Sequence, residues 1–208
     1  MALSKRALDF LHQSVREIPE LTEQDIRDAF SANNAPVFDP LIAFQLQYGG
    51  YIFYAGLEPI KFNLLQGVGG YPKITNTSII EFEETNTISP KYHFVCAMTN
   101  YQMQFTLDEQ GIYYEDYHPK ASSFVKVVED LALWKEMELK TGYDIIFRER
   151  QVLTQNLDKV LNLTLIPEAS DQFTLWFQNE FIYMKQCQGL TTLIVSEKYP
   201  EKKNLKLL

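Results

Sequence analysis

Cysteine and histidine are scarce: the 208 residues hold two of the first and three of the second. Cys96 and Cys187 stand apart, with no CxxC and no histidine at ligand spacing, so a structural zinc site is not expected. Two free thiols are the expected state, with a single disulfide left open. His12, His93 and His118 fall on a helix, a strand start and a loop, none with a partner at metal-ligand spacing. No metal and no cofactor are expected. Long apolar runs are missing too, so no stretch reaches the roughly 18 residues of a membrane span. The opening "MALSKRALDFLHQSVREIPE" is broken by charges and lacks the apolar core of a signal peptide. Without an export signal, the triplets "NTS" at Asn76 and "NLT" at Asn162 read as chance matches, and the chain reads as cytoplasmic.

Signatures of chemistry are equally thin. No GxSxG is present, and "ASSF" lacks the glycines of a nucleophile elbow. "GVGG" at 67–70 has neither a following Lys-Ser/Thr nor the GxGxxG spacing of a phosphate cradle. Glu81 and Glu83 in "EFEE" share a strand face, a geometry open to glycosidase chemistry, but a chain with 27 acidic residues offers many such pairs.

What the chain has is apolar and acidic material. Hydrophobic residues make up 46% and aromatic ones 13%, enough for a packed core. Against the 27 acids stand 19 lysines and arginines, a net charge of −8. Such a chain repels phosphate backbones, so nucleic acid is a poor partner and a basic protein a better one.

Residues 3–16 place Leu3, Ala7, Phe10, Leu11 and Val15 on one helical stripe. In "ELTEQDIRDAF", Thr22 and Asp25 have the spacing of a capping box. "DPLIAFQLQYGG" predicts a third helix capped by Asp39, opened by Pro40 and stopped at Gly49–Gly50. From Tyr51 to Tyr117 the period is mostly two, giving six strands of one antiparallel meander. "QGVGGYPKITNT" is its longest irregular connection. A helix led by Ser122 or Ser123 follows, with Phe124, Val127, Val128, Leu131 and Trp134 on one face and Gly142 at its end. Beyond it a helix around 151–161 and strands near 172–177, 181–186 and 191–195 are expected.

The segment "FTLDEQGIYYEDY", Phe105 to Tyr117, is the most acidic feature with a clear local form. Its "DEQG" is a hairpin connection in which Gly111 supplies a positive φ. Asp108 and Glu109 therefore read as turn residues in water, where nothing tunes a carboxylate for catalysis. Met103, Phe105 and Leu107, then Ile112 and Tyr114, read as inward; Tyr113 and Glu115 read as outward.

Two stretches resemble the SMI1/KNR4, or SUKH, superfamily of bacterial immunity proteins and a fungal cell-wall regulator. "DPLIAFQLQYGGYIF" resembles the segment in which a helix ends at an aromatic-Gly-Gly before the first strand. "MQFTLDEQGIYYEDYHPKASSFVKVVEDLAL" resembles its strand, acidic-Gly turn, strand and Ser-Phe-led helix. The similarity covers about residues 20–140, and the tail over 141–208 departs from it. The resemblance implies an α+β fold, helices packed on a mostly antiparallel sheet, and binding of a toxin, often a nuclease, without catalytic residues.

The resulting expectation is one domain over 1–208, with a core at 20–140 and a C-terminal α+β extension at 141–208. Its function would be non-enzymatic: binding a protein partner, possibly a basic toxin. A small hydrolase or glycan-acting enzyme and a regulatory scaffold are the alternatives. The partner-binding candidates are Glu81, Glu83, Glu84, Asp108, Glu109 and Glu115 as steering acids, with Tyr113 and Tyr117 as anchors.

Overall fold

The computed structural model describes residues 2–17, 21–54, 58–68, 71–74, 77–82, 89–140, 142–150 and 156–205. The chain is α+β, and its registered strand pairs are antiparallel. It gathers into two compact units: Leu11–Pro119, and Met1–Phe10 with Lys120–Leu208.

Helix α1 (Lys5–Gln13) is shorter than the stripe suggests, and the division falls inside it. Val15–Arg16 instead form β1, paired with Tyr51 and Ile52 of β2 (Tyr51–Tyr54). In α2 (Glu23–Ala32) the capping box is complete: Asp25 N–H donates to Thr22 Oγ1 at 3.2 Å, and Thr22 N–H to Asp25 Oδ2 at 2.7 Å. Helix α3 (Asp39–Tyr48) is capped by Phe38 rather than Asp39, with Pro40 in its first turn, and ends at Gly49. A Cβ on Gly49 would stand 2.5 Å from the Gln45 carbonyl oxygen, so only glycine fits there. Arg16 reaches that helix end, donating through Nη2 to the Leu46 carbonyl at 2.7 Å and through Nε to the Gly49 carbonyl at 3.1 Å. A cation among the last carbonyls satisfies orphan acceptors and opposes the helix dipole.

The expected single meander is divided among three sheets. The first is β1-β2-β3, with β3 at Pro59–Lys61. Next, β4 (Leu65–Val68) and β5 (Tyr71–Ile74) pair from Leu65↔Ile74 to Val68↔Tyr71, which makes a ladder of the connection expected to be irregular. The third is a true meander: β6 (Thr77–Phe82), β7 (Ser89–Met98), β8 (Gln104–Asp108), β9 (Tyr113–Glu115) and β10 (His118–Ala121). The break after β3 has a cause in the buried Gln45. Its Oε1 accepts the Leu64 N–H at 2.9 Å and its Nε2 donates to Asn63 Oδ1 at 2.7 Å, while Asn63 N–H goes to the Cys96 carbonyl at 2.6 Å. The Leu64 N–H that would continue a ladder is claimed by a helix side chain, and the Asn63 N–H by β7.

This unit's core is aromatic. Phe94 lies 5.5 Å from Phe30 of α2 and 6.0 Å from Phe38, and Phe62 lies 5.6 Å from Phe53 and 6.0 Å from Phe105.

The other unit is built on α4 (Phe124–Leu139), which Ser123 precedes in extended conformation without a side-chain cap bond. Its sheet runs β11-β15-β14-β13-β12: β11 (Tyr143–Arg150), β12 (Thr164–Leu165), β13 (Thr174–Gln178), β14 (Ile182–Cys187) and β15 (Leu190–Ser196). The last three lie within two or three residues of the expected strands. Strand β11 was not anticipated; the helix expected at 151–161 is the single turn α5 (Leu157–Val160), and 151–155 lie outside the described residues. The sheet is buried on both faces. Leu133 and Met137 of α4 share one core with Trp176, Tyr183, Ile194 and Ile166, the last preceding a 3-10 turn at Pro167–Ala169. On the other face Ile182, Met184, Leu193 and Val195 meet Leu157 and Leu205, the latter in α6 (Lys202–Leu205). Helix α4 groups with these strands because its apolar face is half of their core.

Candidate partner-binding surface

The β8–β9 hairpin is built as its turn chemistry demands, but its side chains fall differently. Gly111 takes φ +80° and donates its N–H to the Asp108 carbonyl at 2.9 Å. Asp108, however, is 0% exposed. Its Oδ1 accepts the N–H groups of Gln110 and Ile112, both at 2.9 Å, and its Oδ2 accepts the Tyr114 hydroxyl at 3.0 Å. The expectation of a turn carboxylate in water, available to a partner, is corrected: Asp108 is the internal anchor of the turn. Donors on both oxygens offset the cost of burying it.

Around Asp108 the polar cluster continues. His93 is its cross-strand partner, with Nδ1 3.3 Å from Thr106 Oγ1 and its ring edge-on to Tyr114 at 4.6 Å. Burial and the neighbouring Asp108 carboxylate push the Tyr114 hydroxyl well above its usual pKa. His93, Thr106, Asp108 and Tyr114 are all buried, which keeps this cluster from a partner's reach.

Tyr113 is also corrected. It is 3% exposed, stacked on Phe105 at 6.1 Å with its ring 6.4 Å from Phe62. The register Leu107↔Tyr113 and Thr106↔Tyr114 puts Tyr113 on the face of Leu107 and Phe105. Both faces of this hairpin are covered, and a strand buried on both sides loses the alternation that would tell them apart.

The remaining candidates divide simply. Glu109 and Glu115 are half-buried, and Tyr117 is 43% exposed. Glu115 lies 3.5 Å from the Tyr113 hydroxyl, and the Tyr117 hydroxyl donates to Gln104 Oε1 at 3.2 Å. Glu81 belongs to β6, opposite Pro90, while Glu83 and Glu84 lie outside the described residues. Three further side chains are exposed: Met98 and Tyr101, which sequence reasoning passed over, and Met103, which it read as inward and which is corrected here.

Charge is partitioned unequally. Residues 11–119 contain 14 acids and five lysines or arginines, a net −9; the rest contain 13 acids and 14 bases, a net +1. In the second unit the charges serve each other. Arg6 Nη1 is 3.3 Å from Glu136, and its Nη2 is 3.3 Å from Glu168 and 3.6 Å from the buried Glu129. Glu129 also accepts the Ser4 N–H at 2.6 Å and the Ser4 hydroxyl at 2.7 Å. Asp130 accepts Trp176 Nε1–H at 2.7 Å and pairs with Lys185 at 2.5 Å, whose ammonium lies 5.4 Å from the Trp176 ring.

Among the described residues no group of three or more His, Cys, Asp or Glu could hold a metal ion, and no helix is long and apolar enough to cross a membrane. Cys96 and Cys187 are free thiols, and burial pushes the Cys96 thiol far up. No protein-family model, no curated protein and no solved structure matches the chain.

Proposed function

We propose that the chain is a non-enzymatic protein-binding module of SMI1/KNR4-like type, which binds a basic protein as an immunity protein binds its toxin. The partition of charge carries this reading: the whole net negative charge belongs to residues 11–119. A unit so charged accelerates encounter with a cationic partner and discourages acidic ones. Two junctions lend support. Helix α3 ends at Tyr48-Gly49-Gly50 directly before β2, and the acidic-Gly hairpin leads through β10 to the Ser-Phe start of α4.

The test is co-purification of the full chain with the products of its neighbouring genes, then association kinetics at several salt concentrations. The expected result is a complex with a basic protein whose association slows with salt. Glu109→Lys with Glu115→Lys should slow it further and flatten the salt dependence, with the fold intact. A partner that is acidic, or an association rate indifferent to both salt and charge reversal, would sink the reading.

A further inference from the structure

The turn from β7 to β8 carries large apolar side chains where polar ones would ordinarily stand. Tyr101 at its tip is 82% exposed, Met98 at the end of β7 is 54% exposed, and Met103, just before β8, is 37% exposed. The turn is internally bonded. Thr99 N–H donates to the Met103 carbonyl at 3.0 Å, Gln102 N–H to the Thr99 carbonyl at 3.0 Å, and Met103 N–H to Thr99 Oγ1 at 3.1 Å. These side chains are therefore displayed on a closed scaffold.

The turn is joined to exposed aromatics on two sides. Gln104, cross-strand partner of Met98, accepts the Tyr117 hydroxyl, and its carbonyl accepts the Asp116 N–H at 3.0 Å. Asn100 donates its backbone N–H to Glu58 Oε1 at 2.8 Å and its side-chain amide to Glu58 Oε2. Glu58 adjoins Pro59, which pairs with the exposed Tyr54. Tyr54, Met98, Tyr101, Met103 and Tyr117 are all exposed and none belongs to the core, so folding does not require an apolar side chain at these positions. Gathered exposed apolar groups mark interaction sites, and methionine and tyrosine are the types interfaces favour.

Charge narrows the occupant. From Tyr92 to Pro119 there is no lysine or arginine, but there are Asp108, Glu109, Glu115 and Asp116. With Asp108 buried, Glu115 and Asp116 remain beside Tyr117, and Glu58 beside Asn100. Phosphate-bearing surfaces and a second copy of so acidic a unit are both repelled. We infer that Tyr54, Met98, Tyr101, Met103 and Tyr117 form the anchoring surface for a cationic protein, with Glu58, Glu115 and Asp116 at its rim. This rests on the protein-binding reading above and locates the interface at the β7–β8 turn rather than the acidic hairpin turn. The rim governs association and its salt dependence; the apolar patch governs dissociation.

The test places p-benzoylphenylalanine in the full chain at position 101, at 109 on the hairpin turn, and at the exposed position 172 of the other unit. After photolysis in the producing cell, the captured protein is identified, purified and its binding kinetics measured. The expected result is capture of one basic protein from position 101 and not from 172. Tyr101→Ala and, separately, Met98→Ser should each weaken binding at least about tenfold through faster dissociation, leaving the salt slope of association unchanged. Capture of a basic protein from 109 but not 101, or affinity within about twofold of wild type in both variants, overturns this placement and leaves the protein-binding reading standing. Capture of a second copy, of an acidic protein, or of nothing at any position overturns both.

Discussion

Residues 11–119 and the unit that completes the chain are similar in size yet differ in how they use charge and aromatic rings. The first carries nine of the 12 tyrosines and a net charge of −9, whereas the second holds both tryptophans and a net +1. In the second, Arg6, Lys185, Glu129 and Asp130 are consumed in internal pairs around α4. In the first, five bases face 14 acids. Folding seldom profits from uncompensated charge, because self-repulsion opposes the compact state. The proposed binding of a basic partner rests on this asymmetry.

The comparison breaks most visibly at Trp176. Its indole is fully buried, edge-on to Trp134 at 5.5 Å, and bonded to Asp130. Trp176→Ala should remove about 3–5 kcal/mol from the C-terminal unit. Because Trp134 remains as a probe there, fluorescence should report an earlier denaturant midpoint. The near-ultraviolet circular dichroism of the tyrosines, most of which lie in residues 11–119, should shift less. Equal shifts of both signals would mean that the two cores unfold as one cooperative system.

Next in size is the hairpin anchor. Asp108→Ala leaves two backbone N–H groups and the Tyr114 hydroxyl without an acceptor, and should cost about 2–3 kcal/mol in urea unfolding. Glu109→Ala, one residue along, should stay within about 0.5 kcal/mol of wild type. Equal effects from the two would undo the distinction between an anchoring carboxylate and its half-buried neighbour. Gly111→Ala should fall between them, at about 1–2 kcal/mol. Its φ of +80° is strained for alanine, and the new Cβ would meet Pro40 Cβ at 3.0 Å.

These residues also mark how far the sequence was legible. Punctuation was readable because its chemistry is local: the Thr22–Asp25 box, the Gly49 stop and the Gly111 turn stand where their residue types predict. The α+β class was readable for the same reason. Sheet membership was not, because the break after β3 depends on Gln45, a helix residue whose side chain captures a strand's backbone. The faces of the hairpin were misread because period two identifies an inside only when the other side meets water. Asp108 shows the same limit. Acid in a turn usually means solvent, and only the fold brings Tyr114 and the strand bearing His93 over it. The exposure of Met98, Tyr101 and Met103 was not legible: alternation with Phe105 and Leu107 made Met103 read as inward, and nothing local marked the other two as surface residues.

The smallest expected effect is electrostatic and belongs to the nearly neutral unit. Glu136 is partly buried, which by itself would raise its pKa, but bonds from Lys140 and Arg6 outweigh that and hold it below the usual carboxylate value. The groups facing it are Arg6 from α1, Lys140 at the end of α4 and the Tyr183 hydroxyl from β14. A carboxylate with a depressed folded-state pKa contributes stability above its unfolded value, near 4.5, and loses it as pH falls through the folded value. Glu136→Gln should therefore cost about 0.5–1 kcal/mol at pH 7, a modest figure because the network is partly solvated. The difference between variant and wild type should shrink as acid titrates the carboxylate. Urea unfolding followed by tryptophan fluorescence at pH 7 and again well below pH 4.5 measures both ends. A difference that persists undiminished in acid would mean that Glu136 acts through packing rather than charge. The C-terminal unit would then owe less to its internal ion pairs than the contrast with residues 11–119 implies.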